Sequence, residues 1–301
     1  MNRKNTSVSA EDRTTMSFTL ANKRKLSFSR YGKQGGIPII ILHGSPGSRI
    51  AQEEAFFHEA GLEIIYPERP GYGNSSPNPL ASFKSWAVDV VALLDHLEIE
   101  EVHIGGESAG GAYTLACVAY YPERFHSATL IASAAPPQIQ NYSQGMAFAN
   151  KLGFWLNRYA PYLARSLSRR FARGARRNPN QLWQQIEKQL CPWDQALIRK
   201  ARESGQFQVY IDHLQEAFKN GAEGHIADMR ILAGTWDIPF ENIQCPIYIW
   251  HGEEDTLSPI AGAKAFAKWL PNTKPHFIPE AGHLLADDSV LFKKILTQII
   301  S

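Results

Sequence analysis

The pentapeptide Gly106-Glu-Ser108-Ala-Gly110 carries the sharpest chemical signal in the chain. A serine is a useful nucleophile only where its hydroxyl is exposed and a base can take its proton. A G-x-S-x-G run meets the first need when it turns sharply from a strand into a helix, because its glycines leave room for that turn. Here the apolar run Val102–Gly105 precedes it, and helical spacing follows from Ala109. The base should then be a histidine oriented by a carboxylate, in the chain order serine, acid, histidine. His251-Gly-Glu-Glu-Asp255-Thr-Leu-Ser-Pro259 follows one apolar run, and Pro279-Glu-Ala-Gly-His283 follows another. Ser108, Asp255 and His283 are thus the expected triad, with Asp255 favoured over its neighbours Glu253 and Glu254 by its place before Thr-Leu-Ser-Pro.

Acyl transfer also needs two backbone donors facing the charge that develops on the carbonyl oxygen. Ala109 N–H offers one because it follows the nucleophile. Ser45 N–H, in the loop His43-Gly-Ser45-Pro-Gly47, offers the other. His43 is expected to brace that loop, and Glu107 to make local hydrogen bonds. The remaining histidines, His251 among them, and Cys117 are assigned to packing or surface.

These residues need a frame that brings the ends of several strands together. Lys25–Tyr31 and Ser17–Leu20 alternate as a hairpin would, and Ile37–Leu42 is the continuous apolar run of a buried parallel strand. Short apolar runs at Glu63–Tyr66, Val102–Gly105, Ala128–Ala132, Ile247–Trp250 and His276–Ile278 alternate with helical spacing, as in Ser82–Leu97. Such alternation implies an α/β fold with a mostly parallel central sheet and helices on both faces. It breaks between residues 136 and 235, where only helical spacing appears. The expected organisation is a disordered leader at 1–16, a core at 17–135 and 236–301, and an inserted helical cap at 136–235.

The chain's 301 residues include 44% hydrophobic and 20% charged side chains, which excludes wholesale disorder and fibrous repeats. The net charge of +2 conceals a division. No Asp or Glu occurs between Pro136 and Ile186, where Lys151, Arg158, Arg165, Arg169, Arg170, Arg173, Arg176 and Arg177 contribute eight positive charges and leave the rest at −6. Anionic membrane lipid, a nucleic acid or an acidic substrate could meet that segment. The plainer expectation is a solvated face, since the stripe through Leu156, Leu163 and Phe171 calls for burial. Three widely spaced cysteines, a polar N-terminus and no apolar run near ~20 residues point to a reducing, cytoplasmic setting without a membrane span. No Walker loop, dinucleotide fingerprint or metal cluster occurs. We therefore expect no cofactor, no metal and no nucleic-acid partner, only a small-molecule substrate.

HGSPGS at 43–48, ERPGYGNSS at 68–76, GESAGG at 106–111, HGEEDTLSP at 251–259 and EAGHLL at 280–285 together resemble a serine hydrolase of the α/β-hydrolase fold superfamily, in an esterase-like branch with a lid. The resemblance spans roughly residues 17 to 301. It implies Ser108 as nucleophile, Asp255 as orienting acid, His283 as base, and Ser45 and Ala109 as oxyanion donors. Serine rather than aspartate at 108 argues against haloalkane dehalogenases and epoxide hydrolases. The lack of an HGGG run argues against hormone-sensitive-lipase-like esterases. Glu68 stands where the family more often has Asp, and Ser133 leaves no acid after the preceding strand. The expected reaction is hydrolysis of a small ester, thioester or lactone through an acyl-enzyme, beneath a lid lined by Trp155, Tyr159, Tyr162 and Trp183. A carbon–carbon bond hydrolase, a small amidase or peptidase, or a low-turnover binding or signalling protein remains compatible with the same residues.

Overall fold

The computed structural model describes residues 15–50 and 54–300. β1 (Thr15–Thr19) and β2 (Lys25–Gly32) pair as an antiparallel hairpin. β3 (Ile37–Leu42) is followed by the short α1 (Glu54–Glu59) and by β4 (Leu62–Pro67). Ser82 then caps α2 (Phe83–His96) by accepting the Ser85 N–H, satisfying one of the donors a helix start leaves open. β5 (Val102–Glu107), α3 (Ala109–Tyr120) and β6 (Phe125–Ile131) complete the first half.

Six helices follow before the sheet resumes: α4 (Phe148–Tyr159), α5 (Pro161–Arg177), α6 (Pro179–Glu187), α7 (Pro192–Glu203), α8 (Gln208–Ala217) and α9 (Glu223–Ala233). Three of them start on a proline, which has no N–H to lose and a φ already set for the first turn. β7 (Ile247–Gly252), α10 (Ile260–Trp269), β8 (Thr273–Ile278) and α11 (Ser289–Ile299) close the chain.

The eight strands of the described residues form one sheet in the order β1-β2-β4-β3-β5-β6-β7-β8. It is antiparallel from β1 through β2 to β4 and parallel from there on. Its central strands are apolar on both sides because both sides are covered. Ile40 and Leu42 pack toward α2 and α3, whereas Ile39 and Ile41 pack toward α1 and α11. Several sequence boundaries shift, and β6 and β8 each begin three residues before their expected runs. β1 takes in Thr15 and Met16 from the expected leader, whose other residues lie outside the described ones. β5 runs two residues further than its apolar pattern, to Glu107, because Gly106 and Glu107 still pair with β6.

Loops after β3, β4, β5, β7 and β8 leave from the carboxyl edge of the sheet, where open α/β folds place ligands. At the β5–α3 turn the packing admits no side chain. A Cβ on Gly110 would lie 2.1 Å from the Leu42 carbonyl oxygen, and one on Gly106 would lie 2.3 Å from the Gly110 backbone. Gly110→Ala should therefore lower stability by about 3 kcal/mol or more in urea unfolding. A loss near zero would mean that the turn can open without cost.

Candidate active site

Ser108 sits between β5 and α3 with φ +53° and ψ −116°, a backbone conformation unfavourable for a residue with a Cβ. Hydrogen bonds on both sides hold it there: its N–H donates to Ile131 O, and its carbonyl accepts from Gly111 and Ala134 N–H. Ala109 opens α3, so its N–H lacks an intrahelical acceptor. Neither that N–H nor Ser45 N–H meets an acceptor among the described residues. The Ser45 loop passes close by, with a Cβ position on Gly44 only 3.5 Å from Ser108 Cβ.

Asp255 is buried in the turn after β7. Its Oδ1 accepts the N–H groups of Leu257 and Ser258, and its Oδ2 accepts His283 Nδ1–H at 2.8 Å. Burial alone would raise the Asp255 pKa, but His283 and His251 together hold it far below the usual carboxylate range. For His283, burial lowers the pKa, and the Asp255 charge, with smaller contributions from Asp194 and Glu107, leaves it raised. With Nδ1 engaged, Nε2 is the ring nitrogen free to take a proton. Ser108, Ser45 and His283 all line two adjoining cavities of about 230 and 110 Å³, and no hydrogen bond joins Ser108 Oγ to the ring. Glu253 pairs instead with Lys264, and Glu254 is exposed.

Several neighbours were not singled out in the sequence. His251 donates from Nε2 to Ser258 O and lies 3.3 Å from Asp255 Oδ2, so the acid is shared by two imidazoles. His251 opens the HGEEDTLSP run, yet nothing in that run marks it as a partner of Asp255. Asp194, at the start of α7, is fully buried and accepts the backbone N–H groups of both His283 and Leu284. Asp228, in α9, is the anchor on the opposite side. It pairs with the buried Arg69 and accepts the hydroxyls of Tyr72 and Tyr113. Arg69 turns its remaining donors to the carbonyls of His43 and Gly44, at 2.5 and 2.6 Å. Tyr72 spends its proton on Asp228, so its oxygen accepts Ser45 Oγ–H at 2.9 Å. Arg69 and Tyr72 belong to the ERPGYG run, so half of this network was visible in the sequence. Asp194 and Asp228, isolated acids more than a hundred residues downstream, carried no such mark.

His43 does brace the loop. Its Nδ1–H donates to Gly44 O and its Nε2 accepts Arg69 N–H, while burial and the Arg69 charge keep it neutral. Glu107 departs from expectation, because its carboxyl faces the larger cavity without a hydrogen bond among the described residues. Burial, reinforced by Asp287 and opposed by His283, pushes its pKa up to about 8. Of the four expected lid aromatics, Trp183 lines the larger cavity, whereas Trp155, Tyr159 and Tyr162 face outward. They do so because the buried side of α4 is set by Leu156 and that of α5 by small residues.

The family model for the alpha/beta hydrolase fold matches residues 37–290, and the chain belongs to that family of hydrolases. It is 27% identical to the uncharacterized hydrolase YcgS of Bacillus subtilis, over 86% of this chain and 88% of that protein. It is 26% identical to a 2-hydroxymuconate semialdehyde hydrolase of Pseudomonas putida, over 82% and 81%. Among solved structures, a thermophilic esterase from Thermogutta terrifontis shares the fold with a TM-score of 0.66 at 22% identity, covering 96% of this chain and all of that one.

Two stability measurements follow from the charges. Removing one member of a buried ion pair strands the other, so Asp228→Leu should cost about 3–5 kcal/mol, while Arg69→Met with Asp228→Leu should recover part of that loss. A double variant worse than the single would show that the pair is not the source. The Asp255–His283 contribution depends on pH at both ends. The lowered acid supplies stability above its unfolded pKa of about 3.9 and loses it as pH falls through the folded value. The raised histidine supplies its share below about 6.5 and loses it as pH rises through its folded value. Asp255→Asn should therefore destabilise more at mildly acidic pH than well above the His283 pKa, and unfolding titrations at the two pH values compare them directly.

Proposed function

We propose that this hydrolase is a serine esterase-type enzyme that cleaves small carboxylic esters, thioesters or lactones through an acyl-enzyme. The observation carrying this reading is the Asp255–His283 hydrogen bond through Nδ1, which leaves Nε2 on the cavity shared with Ser108. In the proposed mechanism His283 Nε2 takes the Ser108 proton as Oγ attacks the substrate carbonyl. The tetrahedral oxyanion is received by Ser45 and Ala109 N–H, aided by the positive end of α3. His283 returns the proton to the leaving group, and water then attacks the acyl-enzyme with His283 again as base. Asp255 orients the ring and stabilises the imidazolium without itself taking the proton.

We assign the helices of 136–235 the role of a cap, supported by the side chains of Trp183, Leu190, Tyr210 and Leu214 in the wall of the larger cavity. The smaller cavity is mostly apolar, with Tyr142, Phe154 and Leu232 in its wall. The two together suit a compact substrate divided at its carbonyl. The three unpaired, buried cysteines fit the cytoplasmic setting expected from the sequence.

A fluorophosphonate probe should label the wild type and not Ser108→Ala, and the wild type should turn over short activated esters. Ser108→Ala or His283→Ala should each lower kcat/KM by several orders of magnitude, on the order of 10⁴ or more. Because His283 is raised, activity should fall as pH drops through a midpoint above ~6.5. Absence of both labelling and turnover in the wild type would refute the reading. A panel with amide and carbon–carbon substrates, which the Pseudomonas putida relative motivates, would reassign the class if those were cleaved better than esters.

A further inference from the structure

The outer surface of α4 and α5 is built the reverse of an ordinary surface helix. A helix on a globular protein normally buries its large apolar side chains and exposes its small or polar ones. In α5 the buried positions are Ala164, Ser168, Ala172 and Ala175, while Tyr162, Leu163 and Leu167 stand in solvent. Tyr162 is 87% exposed. In α4 only Leu156 is buried, and Phe148, Leu152, Trp155 and Tyr159 form one exposed stripe at i, i+4, i+7 and i+11. The stripe through Leu156, Leu163 and Phe171 was expected to be buried; the structure buries only its first member fully.

The same surface carries the whole of the basic segment. Lys151, Arg158, Arg165, Arg169, Arg170, Arg173, Arg176 and Arg177 are all exposed. Glu223 pairs with Arg165 and Arg169, and no carboxylate pairs with the other six among the described residues. Arg170, Arg173 and Arg177 edge an open groove of about 780 Å³ whose floor includes Leu167, Phe171 and Leu182.

We propose that the α4–α5 face is a peripheral docking surface for an anionic phospholipid bilayer. Aromatic and leucine side chains interleaved with arginines match the boundary between headgroups and acyl chains, which takes apolar groups and cations together. Leucine and phenylalanine would gain nothing on the phosphate backbone of a nucleic acid. A symmetric contact with a second copy would set arginines against arginines. None of the described helices is long and apolar enough to cross a membrane, so the contact is along the surface. α4 also carries Asn150 and Phe154 of the smaller cavity on its inner side, so one helix faces both the bilayer and the proposed site. The docking surface itself does not depend on the proposed reaction.

The test is flotation of the purified full chain with vesicles of phosphatidylcholine alone or of phosphatidylcholine with phosphatidylglycerol, at low and high salt. The wild type should float with the anionic vesicles, remain free with the neutral ones, and be released by salt. A surface arginine near an anionic leaflet contributes roughly fivefold in partitioning, so Arg170→Glu/Arg173→Glu/Arg177→Glu should weaken binding by about a hundredfold or more. Trp155→Ser/Tyr159→Ser/Tyr162→Ser should weaken it by at least tenfold while leaving the salt dependence in place. All six positions are exposed, so circular dichroism should match the wild type. The proposal is overturned if the wild type fails to bind anionic vesicles at low salt, or binds neutral and anionic ones equally. It is equally overturned if neither variant changes binding, or if the wild type is a dimer that the aromatic variant dissociates, which would assign the face to a second copy.

Discussion

Arg69 has lost nearly all contact with water, and both the core and the inserted helices are arranged around compensating its charge. A guanidinium carries five donors in a fixed plane and cannot shed its proton, so burial is tolerable only if carboxylates and carbonyls meet it on every side. Asp228 supplies the carboxylate from α9, and the carbonyls of His43 and Gly44 supply the rest. The consequence reaches past the pair. Two carbonyls of the loop after β3 are turned toward Arg69, which leaves Ser45 N–H, beside Ser108, without an acceptor among the described residues. The pair also fastens α9 to the loop after β4, where Gly71 approaches Gly224 too closely for a Cβ to fit between them.

The other side of the cavity follows the same rule with a different donor. Asp194, from α7, takes two consecutive backbone N–H groups at His283 and Leu284, while Asp255 takes the imidazole from below. The helices between β6 and β7 thus contribute one buried carboxylate to the His283 loop and one, through Arg69, to the Ser45 loop. They are part of the scaffold of the cavity as well as of its wall. Asp194 and Asp228 point inward while the arginines of α4 and α5 point outward, so the two buried carboxylates lie beside the Ser45 and His283 loops and the positive groups lie in solvent.

Much of this was legible in the sequence because it depends on short-range constraints. Gly106 and Gly110 are dictated by contacts under 2.5 Å at one turn, and the alternation of apolar runs with helical spacing follows from a sheet covered on both faces. Pro161, Pro179 and Pro192 mark helix starts through their own backbone chemistry. What was read wrongly involved choosing sides of a helix. Periodicity reports that large apolar residues share a face of α4 and α5. It does not report whether that face meets the protein, and here small alanines and a serine fit the narrow space against the neighbouring helices.

The sequence by itself determined the α/β architecture and the identity of Ser108, Asp255 and His283 as the residues to examine, because each lies in a local pattern whose geometry the backbone nearly dictates. Only the tertiary structure decided that His283 meets Asp255 and not Glu253 or Glu254, that Asp194 and Asp228 hold the loops, and that Trp155, Tyr159 and Tyr162 face away from the cavity. Those outcomes depend on desolvation and on packing between segments far apart in the chain. A lone aspartate in a helix looks the same in sequence whether it ends in water or beneath a buried arginine.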